Sequence, residues 1–92
     1  MMKIYISGAI SKEFNYMKKF KEAEEYLKTM GHVPLNPTVI PPILSYDEHM
    51  KIDLAMVEVC DAIYMLKGWE NSKGANIEYV NAINNKKIIL FQ

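Results

Sequence analysis

Four short runs of β-forming residues alternate with three stretches whose apolar positions recur every three or four residues. This alternation limits the possible folds more than any other feature of the chain. Lys3-Ile4-Tyr5-Ile6-Ser7 is the first β run and stops at Gly8. From about Ser11 to Met30, the residues Phe14, Met17, Phe20, Ala23, Leu27 and Met30 form one apolar stripe, closed by Gly31 as a helix end should be. His32-Val33-Pro34-Leu35 reads as a short second strand, at a sheet edge because of its proline. Pro37, Pro41 and Pro42 stiffen a loop from Asn36 to Leu44. Ser45 and Glu48 then have capping-box spacing, so a second helix is expected from about Tyr46 to Val59. Cys60 to Leu66 is almost continuously apolar, as a strand covered on both faces would be. A loop from Lys67 to Gly74, a third helix from Ala75 to Asn84 and a closing strand from Lys87 to Phe91 complete the order.

The order βαβαβαβ implies an α/β fold with a parallel sheet and helices on both faces. We expect a single flavodoxin-like, Rossmann-like three-layer domain over residues 1–92. Its four strands should run in the order 2-1-3-4, with strands one and three at the centre. The 11 Lys+Arg residues balance the 11 Asp+Glu, which argues against a nucleic-acid polymer as partner, because such binding draws on an excess of cations. No apolar run approaches the ~20 residues of a membrane span, and the N-terminus turns polar too soon for a signal peptide. The lone Cys60 has no disulfide partner, so a cytoplasmic location is expected. His32 and His49 are isolated and no metal-ligand spacing occurs, so neither a metal nor another cofactor is expected.

Parallel sheets of this order bind ligands beyond the carboxyl ends of their strands, where the order reverses. That rule selects two loops. Ser7, Gly8, Ala9, Ile10 and Ser11 form a small, hydroxyl-bearing turn opening a helix, a place suited to an anion; a tight turn and a helix cap would look the same. The second loop holds Trp69, Ser72, Lys73 and Gly74, with Glu78 following in the helix. Trp69 could stack on a flat ring or pack over the sheet edge. Ser72 could cap the helix or bind an oxyanion, and Lys73 offers positive charge. Glu78 could point into the cleft or merely complement the helix dipole. Tyr5 faces away from Ile4 and Ile6, toward a place from which its hydroxyl could reach Glu78, or it is a buried tyrosine with a structural partner. Asp53 lies mid-helix between apolar residues, where a solvated-face carboxylate is the plain reading, and Asp61 opens the third strand at the end opposite the cleft, where a structural role is expected.

Taken together, Ile4-Tyr5-Ile6-Ser7-Gly8, Asp53 with Asp61 eight residues later, and Ser72 with Glu78 six later resemble the nucleoside 2-deoxyribosyltransferase superfamily. The set is also similar to the 2′-deoxynucleoside 5′-phosphate N-hydrolases. The resemblance covers most of the chain and rests on the joint spacing of Tyr5, Asp53, Ser72 and Glu78. It implies that Glu78 is a nucleophile attacking C1′ of the sugar, that Tyr5 orients this carboxylate, and that Asp53 serves the base and its protonation. Ser72 falls where the transferases carry an aspartate for the 5′-hydroxyl and the monophosphate hydrolases carry a serine. A serine can donate to a 5′-phosphate that an aspartate would repel. The hydrolases have a serine and an arginine in the first loop, where this chain has Ala9 and Ser11.

The resulting expectation is cleavage of the N-glycosidic bond of a (2′-deoxy)nucleoside 5′-monophosphate, with the base released or transferred. Glu78 is expected to be ionised, and Asp53 to have a raised pKa or to receive a proton delivered through the base. The alternatives are a transferase acting on free nucleosides and a noncatalytic nucleotide-sensing module on the same fold. The expected partner is a small nucleotide or nucleoside, in a homodimer or higher homo-oligomer.

Overall fold

The central strand β1 (Lys3–Ser7) alternates its side chains between two helical layers, and this alternation organises the molecule. The structure, a computed structural model, describes residues 1–10 and 15–92. Around β1 lie β2 (Val33–Leu35), β3 (Ala62–Met65) and β4 (Ile88–Phe91), all parallel, in the order β2-β1-β3-β4. This is the expected strand order. The helices are α1 (Tyr16–Thr29), α2 (Tyr46–Val59) and α3 (Lys73–Asn84), and single 3₁₀ turns occur at Pro37–Val39 and Trp69–Asn71.

Ile4 and Ile6 face α1, where they pack with Phe20, Ala23, Leu27, Ala62 and Leu66. Tyr5 faces the opposite layer with Ile63 and Met65, against Val57 of α2 and Ala75 and Ala82 of α3. The apolar stripe of the first helix is only partly buried. Met17 lies in the first turn and Met30 at the C-cap, and both are exposed. The described helix begins at Tyr16 with Asn15 at its N-cap. The expected start at Ser11, and Phe14 on the stripe, lie outside the described residues.

The helix ends follow from local chemistry. Gly31 (φ +85°) ends α1: His32 N–H donates to the Leu27 carbonyl at 3.0 Å and Gly31 N–H to that of Lys28 at 2.9 Å. The same pair of bonds closes α3, from Lys87 N–H to Ala82 and from Lys86 N–H to Ile83, but there Lys86 takes the left-handed conformation (φ +58°). Ser45 and Glu48 form the expected capping box on α2. The third helix begins at Lys73, earlier than expected, because the Ser72 hydroxyl accepts the Ala75 N–H at 3.2 Å and sets the first turn there. At the amino end of the sheet, Asp61 Oδ2 accepts the Lys3 N–H at 2.9 Å and tethers the entries of β1 and β3. That places Asp61 in a structural role far from the opposite rim.

Candidate active site

β1 and β3 lie side by side at the point where the strand order reverses, and a cavity of about 700 Å³ opens beyond their carboxyl ends. Tyr5, Asp53 and Glu78 lie together in its lining. Period-two alternation puts Tyr5 and Ser7 on the same face of β1, and both reach Glu78. Tyr5 Oη donates to Glu78 Oε2 at 3.0 Å, and Ser7 Oγ donates to Glu78 Oε1 at 2.7 Å. Glu78 is 4% exposed, and Tyr5 and Ser7 are fully buried. A glutamate on a solvated helix face is therefore excluded.

Asp53 is also buried, at 5% exposure, and its Oδ1 has no hydrogen-bond partner among the described residues. Buried polar atoms are rarely left in this state. An unpartnered oxygen in a cavity wall leaves room for a donor on a bound molecule.

Burial pushes the Glu78 carboxyl up to about 8; the Ser7 and Tyr5 hydroxyls pull it down, and the Asp53 charge pushes it up. Burial likewise raises Asp53, while hydrogen bonding with Glu78, the positive form of His49 and the Tyr5 hydroxyl all act to lower it. Tyr5 is held well above its usual range by burial and by the two neighbouring carboxylates, so it keeps its proton and remains a donor. Both carboxyls are raised, then, and not Asp53 alone, because the two share one dry corner. The hydroxyl donors fall on Glu78, which makes it the better place for the one charge this corner accommodates.

The other expected site residues divide. Gly8, Ala9 and Ile10 line the cavity. Gly8 has a packing reason as well: a Cβ there would come within 3.1 Å of Leu66 Cβ. Ser7 does not act with that turn, because its hydroxyl is committed to Glu78. Ser11 lies outside the described residues. Ser72, Lys73 and Gly74 line the cavity at the start of α3, and the Lys73 ammonium sits 5.6 Å from the centre of the Tyr46 ring. Trp69 is not part of the lining. It packs on Tyr79 and Phe91, with ring centres 4.7 and 6.4 Å away, where the 3₁₀ turn, α3 and β4 meet. Its apolar area is covered by neighbouring rings.

Sequence reasoning missed one wall altogether. Thr38, Ile40, Pro42 and Leu44 of the proline-rich segment line the cavity, as do His49, Met50 and Asn71. Of these residues only His49 had a signal that could have found it: the capping box fixes the register of α2, and His49 stands one turn before Asp53 on it. Among the described residues no group of three or more His, Cys, Asp or Glu is gathered where it could hold a metal ion, and no helix is long and apolar enough to cross a membrane.

The fold is a flavodoxin-like α/β fold with four parallel strands. The chain itself belongs to the family described as a domain of unknown function, DUF4406, whose model matches residues 2–91. Two solved structures are similar to it. One is the CMP N-glycosidase BcmB of Clostridium botulinum, with a TM-score of 0.72 and 21% identity over 97% of this chain and 69% of that one. The other is a 2-deoxyribosyltransferase from Leishmania mexicana, with a TM-score of 0.78 and 23% identity over 99% of this chain and 63% of that one. This chain is therefore shorter than either protein. Among curated proteins, no sequence matches it.

Proposed function

We propose that this protein breaks the N-glycosidic bond of a (2′-deoxy)nucleoside 5′-monophosphate, with Glu78 as nucleophile. One observation carries the reading: a buried carboxylate has each oxygen held by a hydroxyl, beside a second buried carboxyl, in the wall of a nucleotide-sized cavity. The names of the two similar structures, an N-glycosidase and a deoxyribosyltransferase, support the same chemistry.

Glu78 attacks C1′ as the base leaves, forming a glycosyl ester that water, or a second base, resolves. Tyr5 and Ser7 hold the carboxylate against rotation and favour its charged form. Asp53 faces the base. The sugar phosphate lies toward the start of α3, where the Ser72 hydroxyl, the Lys73 ammonium and the first-turn N–H groups favour an anion. The sequence contains no arginine, so lysine and backbone carry this contact. The turn at Gly8, Ala9 and Ile10 borders the same space.

The test is base release from a panel of deoxynucleoside 5′-monophosphates, deoxynucleosides and ribonucleotides, with and without a free acceptor base. Free base from a monophosphate, absent with Glu78→Ala, is the expected result. A swapped base formed only with the acceptor would identify a transferase. Ligand-induced thermal stabilisation without any product would identify a nucleotide-binding module and overturn the enzymatic reading.

A further inference from the structure

We infer that His49 is the proton source for the departing base; this inference rests on the N-glycosidic reading above. Cleavage of a C1′–N bond sends its electron pair to the base, and near neutral pH departure is fast only if the base receives a proton as it leaves. The described side chains lining the cavity that could deliver one are few. Tyr5 donates to Glu78 and is held well above its usual range. Glu78 forms the new bond to C1′ and has no proton to give at that moment. Lys73 lies at the start of α3 over the Tyr46 ring, on the side assigned to the phosphate.

Tyr16 and Tyr46 also line the cavity, but phenols as a class are poorer proton donors near neutral pH than carboxylic acids or imidazolium. Asp53 and His49 are the stronger candidates, four residues apart on α2 and so on one face of it. Both line the cavity. They differ in access to solvent. Asp53 is 5% exposed and stands beside Glu78, so a proton lost there would have to be regained in a buried corner. His49 lines the cavity and is only half-buried, so solvent can reach it. Imidazole is also the side chain suited to proton exchange near neutrality. The two are close enough for the positive form of His49 to act on the Asp53 carboxyl. Their roles are complementary. Asp53 Oδ1, unpartnered among the described residues, accepts an N–H of the base and fixes its plane. His49 gives its N–H proton to an acceptor atom on the same base.

The step balances. The C1′–N bond breaks and its electrons go to the base. The base takes the imidazolium proton, and a Glu78 oxygen bonds C1′. Neutral His49 then regains a proton from water.

The test compares wild type with His49→Gln on two substrates sharing the same sugar phosphate. One is the deoxynucleotide from which the wild type releases base fastest. The other carries a base that departs without protonation: 7-methylguanine if that base is a purine, 5-nitrouracil if it is a pyrimidine. The variant should lose about 100-fold or more in kcat on the ordinary nucleotide but less than about tenfold on the activated one, the span expected for a general acid. An unchanged melting curve would confirm that the variant is folded. Equal losses on both substrates, or no loss on the ordinary one, would overturn the assignment. No base release by the wild type from any substrate is a different result, which removes the N-glycosidic reading itself.

Discussion

Ser7 Oγ lies 2.7 Å from Glu78 Oε1, joining residues 71 apart in sequence and tying the end of β1 to the second turn of α3. Tyr5, two residues earlier on the same face, holds the other oxygen at 3.0 Å. One strand thus supplies both donors, and the sheet's own rigidity sets the carboxylate's orientation. Ser7→Ala removes a donor that helps hold the Glu78 carboxyl down at about 8, so that carboxyl should titrate higher. The acid limb of a pH–kcat/KM profile for base release should move upward, with roughly tenfold loss at neutral pH. An unshifted limb would count against Glu78 as the ionising group.

Glu78→Gln should abolish base release yet stabilise the fold. The wild-type carboxyl is raised in the folded state, so the folded protein binds the proton more tightly than the unfolded chain. Its contribution to stability is therefore fully present below the ordinary carboxylate range. It is lost progressively as pH rises toward about 8. Melting curves from pH 4 to 9 should show the wild type weakening over that window and the variant nearly flat. The variant's Tm should be higher at the alkaline end by on the order of 5 °C.

Ser72→Asp keeps a good helix cap for the Ala75 N–H, so the fold should survive. It also places a carboxylate where the phosphate is assigned. The preference for monophosphate over nucleoside, measured as a ratio of kcat/KM values, should fall by roughly tenfold or more. An unchanged ratio would remove Ser72 from the phosphate contact.

Lys86→Gly should raise stability. Lys86 closes α3 at φ +58°, a conformation that disfavours a Cβ, whereas Gly31 serves the same purpose at the end of α1. Relief of about 1 kcal/mol is expected, read as a rise in midpoint on chemical denaturation. The site is remote from the cavity, so base release should not change.

The fold was legible because its determinants are local. Tyr5 against Ile4 and Ile6, the Ser45–Glu48 box and the Gly31 stop each act within a few residues, and β3 is apolar enough to mark itself as central. The site was legible where it follows from alternation along a strand or from matched spacing, as for Tyr5 and Glu78. It was misread where tertiary packing decides. Trp69 found Tyr79 and Phe91, neither of them near it in sequence, and Ser7 found Glu78 rather than the turn beside it. The wall from Thr38 to Leu44 could not be read at all. Prolines show that such a loop is stiff but not where it points.

That wall has a consequence of its own. Of residues 36–44 only Asn36 and Pro37 are buried, and an Asn36 side chain accepting from the Thr38 N–H at 2.9 Å sets the segment's course. Thr38, Ile40, Pro42 and Leu44 line the cavity without entering either apolar layer. Positions outside both apolar layers change folding stability less when substituted than core positions do. If the proposed function holds, exchanging Ile40, Pro42 and Leu44 should change the preference among bases while the strand carrying Tyr5 and Ser7 stays untouched. On that reading the sheet would hold the reacting groups, and the loop at its margin would choose among bases.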